Sequence, residues 1–294
     1  MSAPALQAYL DRIGFSGRVE PTLDCLRQVH RRQALTVPYE NLDVQLGIAT
    51  GTSVEAAFDK IVTRRRGGWC YEQNGLLGWA LSEIGFNVTR GVGAVMRDVR
   101  GESAWGNHLI LLVGLDGIYL ADIGLGDGLR GPIPMEEGSH SNGALRYGLE
   151  RLPDGHWRFH NHRFGYPPSF DFAEPDGEGM TANEAVLAAK CTWLQSSPDS
   201  VFVQNLTCQI VTDETSTCLT GRVLERKSLA GSEKTLLRSP TELKATLDRE
   251  FGIGDLDVEV LWPKIAARHR VVFGDRSIEE VEIDAVARQA RAVT

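Results

Sequence analysis

The segment Arg64-Arg-Arg-Gly-Gly-Trp-Cys-Tyr-Glu-Gln-Asn-Gly-Leu-Leu-Gly-Trp-Ala-Leu-Ser-Glu-Ile-Gly-Phe-Asn-Val88 decides how the chain is read. After Cys70, the apolar residues Leu77, Leu81 and Ile84 recur at helical spacing, and Gly85 supplies a stop. The period then changes. Val88 to Met96, His108 to Val113 and Ile118 to Ile123 are β-branched and apolar runs separated by Gly and Asp. A helical region therefore gives way to a sheet at Gly85.

Upstream, more helices are expected. Ser2 caps one through Ile13, Pro21 sits in the first turn of a second running to about Leu35, and Thr52-Ser-Val-Glu55 opens a third. Downstream, residues 143–172 read as short strands, and Thr181-Ala-Asn-Glu184 as the cap of a helix through Leu194. Val201–Val211 and Thr217–Leu229 read as an antiparallel pair. Ser239-Pro-Thr-Glu242 caps a helix ending near Gly252, and residues 278–292 form a last amphipathic helix. Helices, then strands, then a mixed part make an α+β pattern.

The charge balance limits the partners. With 31 Lys+Arg against 39 Asp+Glu, the net charge of −8 leaves no basic surplus for nucleic acid or anionic membranes. No stretch approaches the roughly 20 apolar residues of a membrane span. The N-terminus lacks the basic and apolar regions of a signal peptide. A cytoplasmic chain with reduced thiols is expected. Its five cysteines form no C-x-x-C pair.

Two glycines precede Cys70, which opens a helix. A thiol there faces unpaired N–H groups and the positive end of the dipole, an arrangement that favours thiolate and lowers its pKa. Gly67 and Gly68 let backbone approach a bound acyl group, and first-turn amides can hold an oxyanion. The plainer reading is a buried structural Cys. A thiolate nucleophile needs a base and the base an orienting group. His108 begins one strand, and Asp122 lies near the end of the next. A two-residue turn at Asp116-Gly117 would put them on opposite faces. A three-residue loop, Leu115-Asp116-Gly117 with Gly117 left-handed, pairs 110 with 122 and puts both on one face.

Other motifs carry less. Gly126-Asp-Gly-Leu-Arg-Gly131 matches G-x-G-x-x-G, but Pro132 and Pro134 forbid the helix a dinucleotide needs. His156, His160 and His162 lack a recognised metal spacing, so no metal is expected and a solvated loop or strand is the reading. Cys208 and Cys218 are expected to face each other, reduced, across a hairpin near Asp213. Cys191 shares a helical face with Leu187 and Leu194.

The chain resembles the arylamine N-acetyltransferases. The resemblance rests on Val37-Pro-Tyr-Glu-Asn-Leu42, Arg66-Gly-Gly-Trp-Cys-Tyr-Glu-Gln-Asn74, Asn107-His-Leu109, Ala121-Asp-Ile-Gly-Leu-Gly126 and Ser197-Pro-Asp-Ser-Val-Phe202, in the family's order. It implies a helical bundle over 1–86, an antiparallel β-barrel over 87–180, an interdomain helix over 181–200 and an α/β lid over 201–294, with a papain-like core. It implies a triad of Cys70, His108 and Asp122. The implied reaction is ping-pong acetyl transfer from acetyl-CoA to an arylamine or arylhydrazine. Tyr39, Leu125 and Phe202 match acceptor-pocket positions; Gly124 and Gly126 lie in the loop used near CoA. Glu40 and Arg66 match a structural ion pair. Bacterial members usually carry Phe where this chain has Leu125, so an aromatic stacking surface is missing. The partners implied are a small aromatic amine or hydrazine and coenzyme A, and a homodimer is compatible with them. Two other readings stay open: a cysteine hydrolase or transglutaminase-like enzyme on the same core, and a binding module that has kept the scaffold.

Overall fold

The computed structural model describes residues 3–173 and 183–274. The expected Ser2 cap, Thr181 and the 278–292 helix lie outside them. Helix Ala3–Ile13 and helix Leu23–Thr36 pack on helix Cys70–Ile84. The second starts later than expected: Thr22, not Pro21, marks its start, because the Thr22 side chain accepts the Cys25 amide. Ser53, not Thr52, caps helix Val54–Phe58 by accepting from Ala56 N. Such a hydroxyl satisfies one orphan donor, worth about 1 kcal/mol. That helix runs on as a π-helical turn, Asp59–Thr63. The Cys70 helix ends where Gly85 turns left-handed, φ 106°.

The first strand, β1 (Tyr39–Glu40), belongs to a sheet built mainly from the far end of the chain. The larger sheet begins with β2 (Asn87–Val95), β3 (His108–Gly114), β4 (Ile118–Leu120) and β5 (Ile133–Pro134). It continues through β6 (Gly138–Asn142), β7 (Leu145–Arg151), β8 (Trp157–His160) and β9 (Ser169–Phe172). Its eight strands run β5-β4-β3-β2-β9-β8-β7-β6, antiparallel throughout. They make a nearly closed barrel filled by Ile110, Leu112, Phe159, Phe170 and Phe172. Strand β3 alternates between two cores. Ile110 and Leu112 enter the barrel, whereas Leu111 and Val113 join Leu77 and Leu81 in the helical core. This alternation holds the Cys70 helix against the barrel.

The hairpin register is the one a three-residue loop gives: Leu112 faces Leu120 and Gly114 faces Ile118. The loop's conformation differs from expectation. Gly117 is not left-handed, and Leu115 N donates to Gly117 O instead. The second strand is also shorter than read from sequence, ending at Leu120. Ala121 N makes the last bond to β3, donating to Leu111 O at 2.9 Å, and Asp122 and Ile123 then turn toward the helices.

Helix Glu184–Ser196 is capped by Asn183, whose side chain accepts from Ala185 N and Val186 N. Leu187, Cys191 and Leu194 are its buried face. The expected pair of long strands is instead a helical turn, Val201–Gln204, and four shorter strands. These are β10 (Thr207–Val211), β11 (Thr215–Thr220), β12 (Val223–Ser228) and β13 (Gly231–Leu236). Gly221 and Gly231, both at positive φ, allow turns that unbroken β-branched runs conceal. Cys208 faces Leu219, and Cys218 faces Gln209. The offset by one residue sends the two thiols to opposite faces, so they do not meet. All five cysteines are free. Ser239 caps helix Pro240–Phe251, as its box predicts. Helix Val258–Phe273, masked in sequence by Pro263, packs on it. Among the described residues, no helix is long and apolar enough to cross a membrane.

Candidate active site

Three elements converge on one point. The Cys70 helix brings Cys70 in its first turn, the start of β3 brings His108, and the segment after β4 brings Asp122. All three side chains are buried. His108 Nε2 lies 2.9 Å from Asp122 Oδ2. With Nε2 on the carboxylate, Nδ1 is the ring nitrogen left for a thiol. Gly124 makes the approach sterically feasible: a Cβ there would lie 2.9 Å from both Cys70 Cβ and His108 Cε1. Any side chain at 124 would wedge the sulfur from the ring.

Asp122 is held from every side. Its Oδ1 accepts Gly124 N at 2.9 Å, and its Oδ2 accepts Asn74 Nδ2 at 2.9 Å. Asn74 Oδ1 in turn accepts Ile123 N at 3.0 Å. His30 Nε2 lies 3.3 Å from the Asp122 carbonyl oxygen. Burial lowers the His30 pKa to about 4, so a neutral ring donates there at neutral pH. Sequence reading missed both residues. Asn74 carried a signal, standing four residues after Cys70 on the same helix face. His30 carried none.

The sulfur is 3.7 Å from the Asn107 carbonyl oxygen. Here the structure corrects an expectation. Burial pushes the Cys70 thiol up, well above its ordinary value, although the Leu109 and Tyr71 amides favour the thiolate. The helix N-terminus therefore does not by itself yield a thiolate; the desolvation cost is larger, and a charged partner is needed.

Behind Cys70 lies a buried charge cluster. Arg66 Nη2 donates to Glu40 Oε1 at 2.9 Å and to Asp43 Oδ1 at 3.2 Å. Lys60 Nζ, on the π-helical turn, reaches Asp43 at 3.0 Å and Glu72 at 3.0 Å. Glu72 Oε2 accepts Trp69 N at 3.1 Å, which fixes the residue before Cys70. Burial, helped by the charge on Glu40, raises Glu72 to about 7 against the pull of Lys60. Only Glu40 and Arg66 were expected here. The double glycine is required by this packing: a Cβ on Gly67 would collide with the Pro38 carbonyl oxygen, and one on Gly68 with the Glu72 side chain.

Cys70, His108 and Gly124 open onto a cleft of about 800 Å³ between barrel and C-terminal sheet. Tyr39, Leu125 and Phe202 line it as well. Phe202 is set by Asn41 Nδ2, which donates to its carbonyl at 2.9 Å, and by an edge contact with Trp69. Gly126 is packed beneath the cleft wall against Tyr39. Four cations, Arg100, Arg163, Lys227 and Arg268, also line the cleft.

A second buried Asp–His pair sits nearby. Asp127 Oδ1 accepts from His162 Nε2 at 3.1 Å, Arg130 Nη2 at 3.1 Å and the Ser216 hydroxyl. Its Oδ2 accepts Lys227 Nζ at 2.7 Å. Burial disfavours the charge, but His162, Lys227 and Arg130 outweigh it and hold Asp127 below the ordinary carboxylate range. The sequence placed His162 in a solvated loop or strand; it is buried, because Asp127 supplies its partner. His160 pairs instead with Glu150 and His156 with Asp154. Among the described residues, no three His, Cys, Asp or Glu side chains converge as metal ligands.

A family model described as N-acetyltransferase matches residues 22–259. The arylamine N-acetyltransferase of Mycolicibacterium smegmatis is 36% identical over 261 residues, covering 85% of this chain and 93% of that protein. Arylamine N-acetyltransferase 1 of Homo sapiens is 31% identical over 294 residues, covering 92% and 98%. The solved structure of Mycobacterium marinum arylamine N-acetyltransferase in complex with CoA matches with a TM-score of 0.78 at 30% identity, covering 88% of this chain and 98% of that one. The overall fold is thus shared with proteins whose sequences match along most of their length, and the chain belongs to the arylamine N-acetyltransferase family.

Proposed function

We propose that this acetyltransferase works by a ping-pong route through a thioester on Cys70, passing acetyl from acetyl-CoA to the nitrogen of an arylamine or arylhydrazine. The observation that carries the reading is that Cys70 and His108 line one large cleft, with His108 Nε2 2.9 Å from Asp122 Oδ2. His108 takes the Cys70 proton through Nδ1 and becomes imidazolium, stabilised by Asp122. That ion pair supplies what burial denies the isolated thiol. The thiolate attacks the acetyl carbonyl, and amides near Cys70 would hold the oxyanion. The carbon–sulfur bond to CoA breaks, and His108 returns its proton to the departing thiolate. The amine then attacks the acetyl-Cys70 carbonyl, its proton passes to His108, and Cys70 is released as thiolate.

The cleft suits both substrates. Arg100, Arg163 and Arg268 offer positive charge to the phosphates of CoA, whereas Lys227 is engaged by Asp127. Tyr39, Leu125 and Phe202 give an apolar wall for an aromatic ring. Gly124 lines the cleft beside Cys70 with no side chain to crowd the CoA end, and Gly126 lets the same loop pack on Tyr39. An arylamine fits this chemistry because its low basicity leaves the nitrogen unprotonated near neutral pH. Intact-protein mass after incubation with acetyl-CoA tests the reading. A gain of one acetyl group on the native chain and none on Cys70→Ala is expected. An unmodified native chain would sink it.

A further inference from the structure

Asn74 touches all three elements that carry Cys70, His108 and Asp122. It stands one turn after Cys70 on the same helix and is fully buried. Its Nδ2 donates to the Leu109 carbonyl on β3 at 2.6 Å, next to His108, and to Asp122 Oδ2 at 2.9 Å. Its Oδ1 accepts Ile123 N at 3.0 Å. Both amide protons are thus in use. Turned about, the amide would set its oxygen against a carboxylate and a carbonyl, and its N–H groups against another N–H, so the partners fix its orientation. A Cβ on Gly124 would lie 2.7 Å from Asn74 Nδ2 and 2.9 Å from both Cys70 Cβ and His108 Cε1. The amide therefore borders the gap between Cys70 and the ring.

The hydrogen bonds treat the two oxygens of Asp122 differently. Oδ1 accepts the Gly124 amide, whereas Oδ2 faces both Asn74 Nδ2 and His108 Nε2. A carboxylate torsion is soft, so the Gly124 bond alone would let Oδ2 swing off the ring. We propose that Asn74 is a positioning residue for acetyl transfer: it holds Asp122 Oδ2 on His108 Nε2 and so keeps Nδ1 turned to Cys70. The proposal rests on the acetyl-transfer reading above. Asn74 does not line the cleft and acts through Asp122. As a neutral donor it leaves the carboxylate its charge; what it adds is aim. Aim matters most in the thiolate–imidazolium state, because only there does the carboxylate face a cation. The groups that titrate around the amide are Asp122 and His108, Cys70 one turn away and, behind the Asp122 carbonyl, His30, which burial keeps neutral.

The test is the pH dependence of Cys70 alkylation by iodoacetamide, read by peptide mass. In Asn74→Ala the rate near neutral pH should fall about tenfold, the size of one lost hydrogen bond to a charged group, and the acid limb should move to higher pH. Acetylation by acetyl-CoA should slow by a similar factor. A loss of stability alone would leave the limb in place, so a limb at the native pH or below it overturns the proposal. Asn74→Asp keeps the shape and the bond from Ile123 N but sets an acceptor against Asp122. Two carboxylates at that distance share one proton, and while residue 74 holds it the donor is restored. The ratio of variant to native alkylation rate should therefore rise as pH falls, and a flat ratio overturns the proposal. A measurement on the native chain does not depend on either variant folding. Alkylating Cys70 removes the anion that faces His108, so the ring becomes neutral. The side-chain amide resonances of Asn74 in nitrogen-labelled protein should shift on that step, and stationary resonances overturn the assignment. Should native Cys70 fail to accept acetyl, the parent reading fails separately, and the alkylation profiles still decide what Asn74 does.

Discussion

Asp122 and Asp127 lie five residues apart, both are buried, and each faces a histidine within hydrogen-bond distance. Their surroundings differ. Asp127 also holds Arg130 and Lys227, so its negative charge is already balanced by fixed cations. It ties the glycine-rich loop to the barrel through His162 and to the C-terminal sheet through Ser216 and Lys227. Asp122 has neutral donors only, Asn74 and the Gly124 amide, besides His108. Its charge remains available to stabilise an imidazolium. An Asp–His pair is therefore not a signature of catalysis. The absence of competing cations and a cysteine that lines the same cleft as the ring separate the two.

The largest expected effect breaks the comparison directly. Asp122→Asn should lower kcat/KM by about 10³–10⁴-fold, the cost of losing the orienting carboxylate of a triad, with little change in Tm. Asp127→Asn should do the reverse. It leaves Lys227 and Arg130 uncompensated and should cost about 3–5 kcal/mol of stability, with a much smaller change in kcat. Urea unfolding and steady-state kinetics on both variants decide this; equal kinetic losses would erase the distinction. The pH dependence sharpens it. Asp127 is held below its ordinary pKa, so its contribution is present above the ordinary carboxylate value and disappears as pH falls. The Tm gap between Asp127→Asn and the native chain should narrow in acid.

The next effect tests the two histidines. His108→Gln should make alkylation of Cys70 slow near neutral pH. Its rate should then rise about tenfold per pH unit, because burial keeps the unpaired thiol protonated. His162→Gln should leave that profile unchanged. A flat, fast profile in His108→Gln would remove the ion pair from the mechanism.

The smallest effect extends the contrast to a third buried carboxylate. Glu72 is raised to about 7, so its contribution is full below the ordinary glutamate pKa and is lost as pH rises through 7. Relative to Glu72→Gln, the native chain should lose a few degrees of Tm between pH 5 and pH 8. A native advantage that grows with pH would show instead that Lys60 outweighs burial.

Local chemistry determined much of this protein in advance. The helix from Cys70 to Gly85, the Ser239 cap, the register of the β3–β4 hairpin and the positions of Cys70, His108 and Asp122 follow from residue spacing and turn length. Resemblance to a family then gave those positions their roles. Turn conformation and cap position were less legible, because one hydroxyl or glycine can shift an element by a residue, as at Ser53 and Gly117. Tertiary structure alone decided which polar groups share a cavity. Lys60, Asp43 and Glu72 converge behind the Cys70 helix, and His162 finds Asp127, through contacts far apart in the chain. It also reversed the expected acidity of Cys70. A helix N-terminus is visible in a sequence, whereas the burial that outweighs it depends on every element packed around the sulfur.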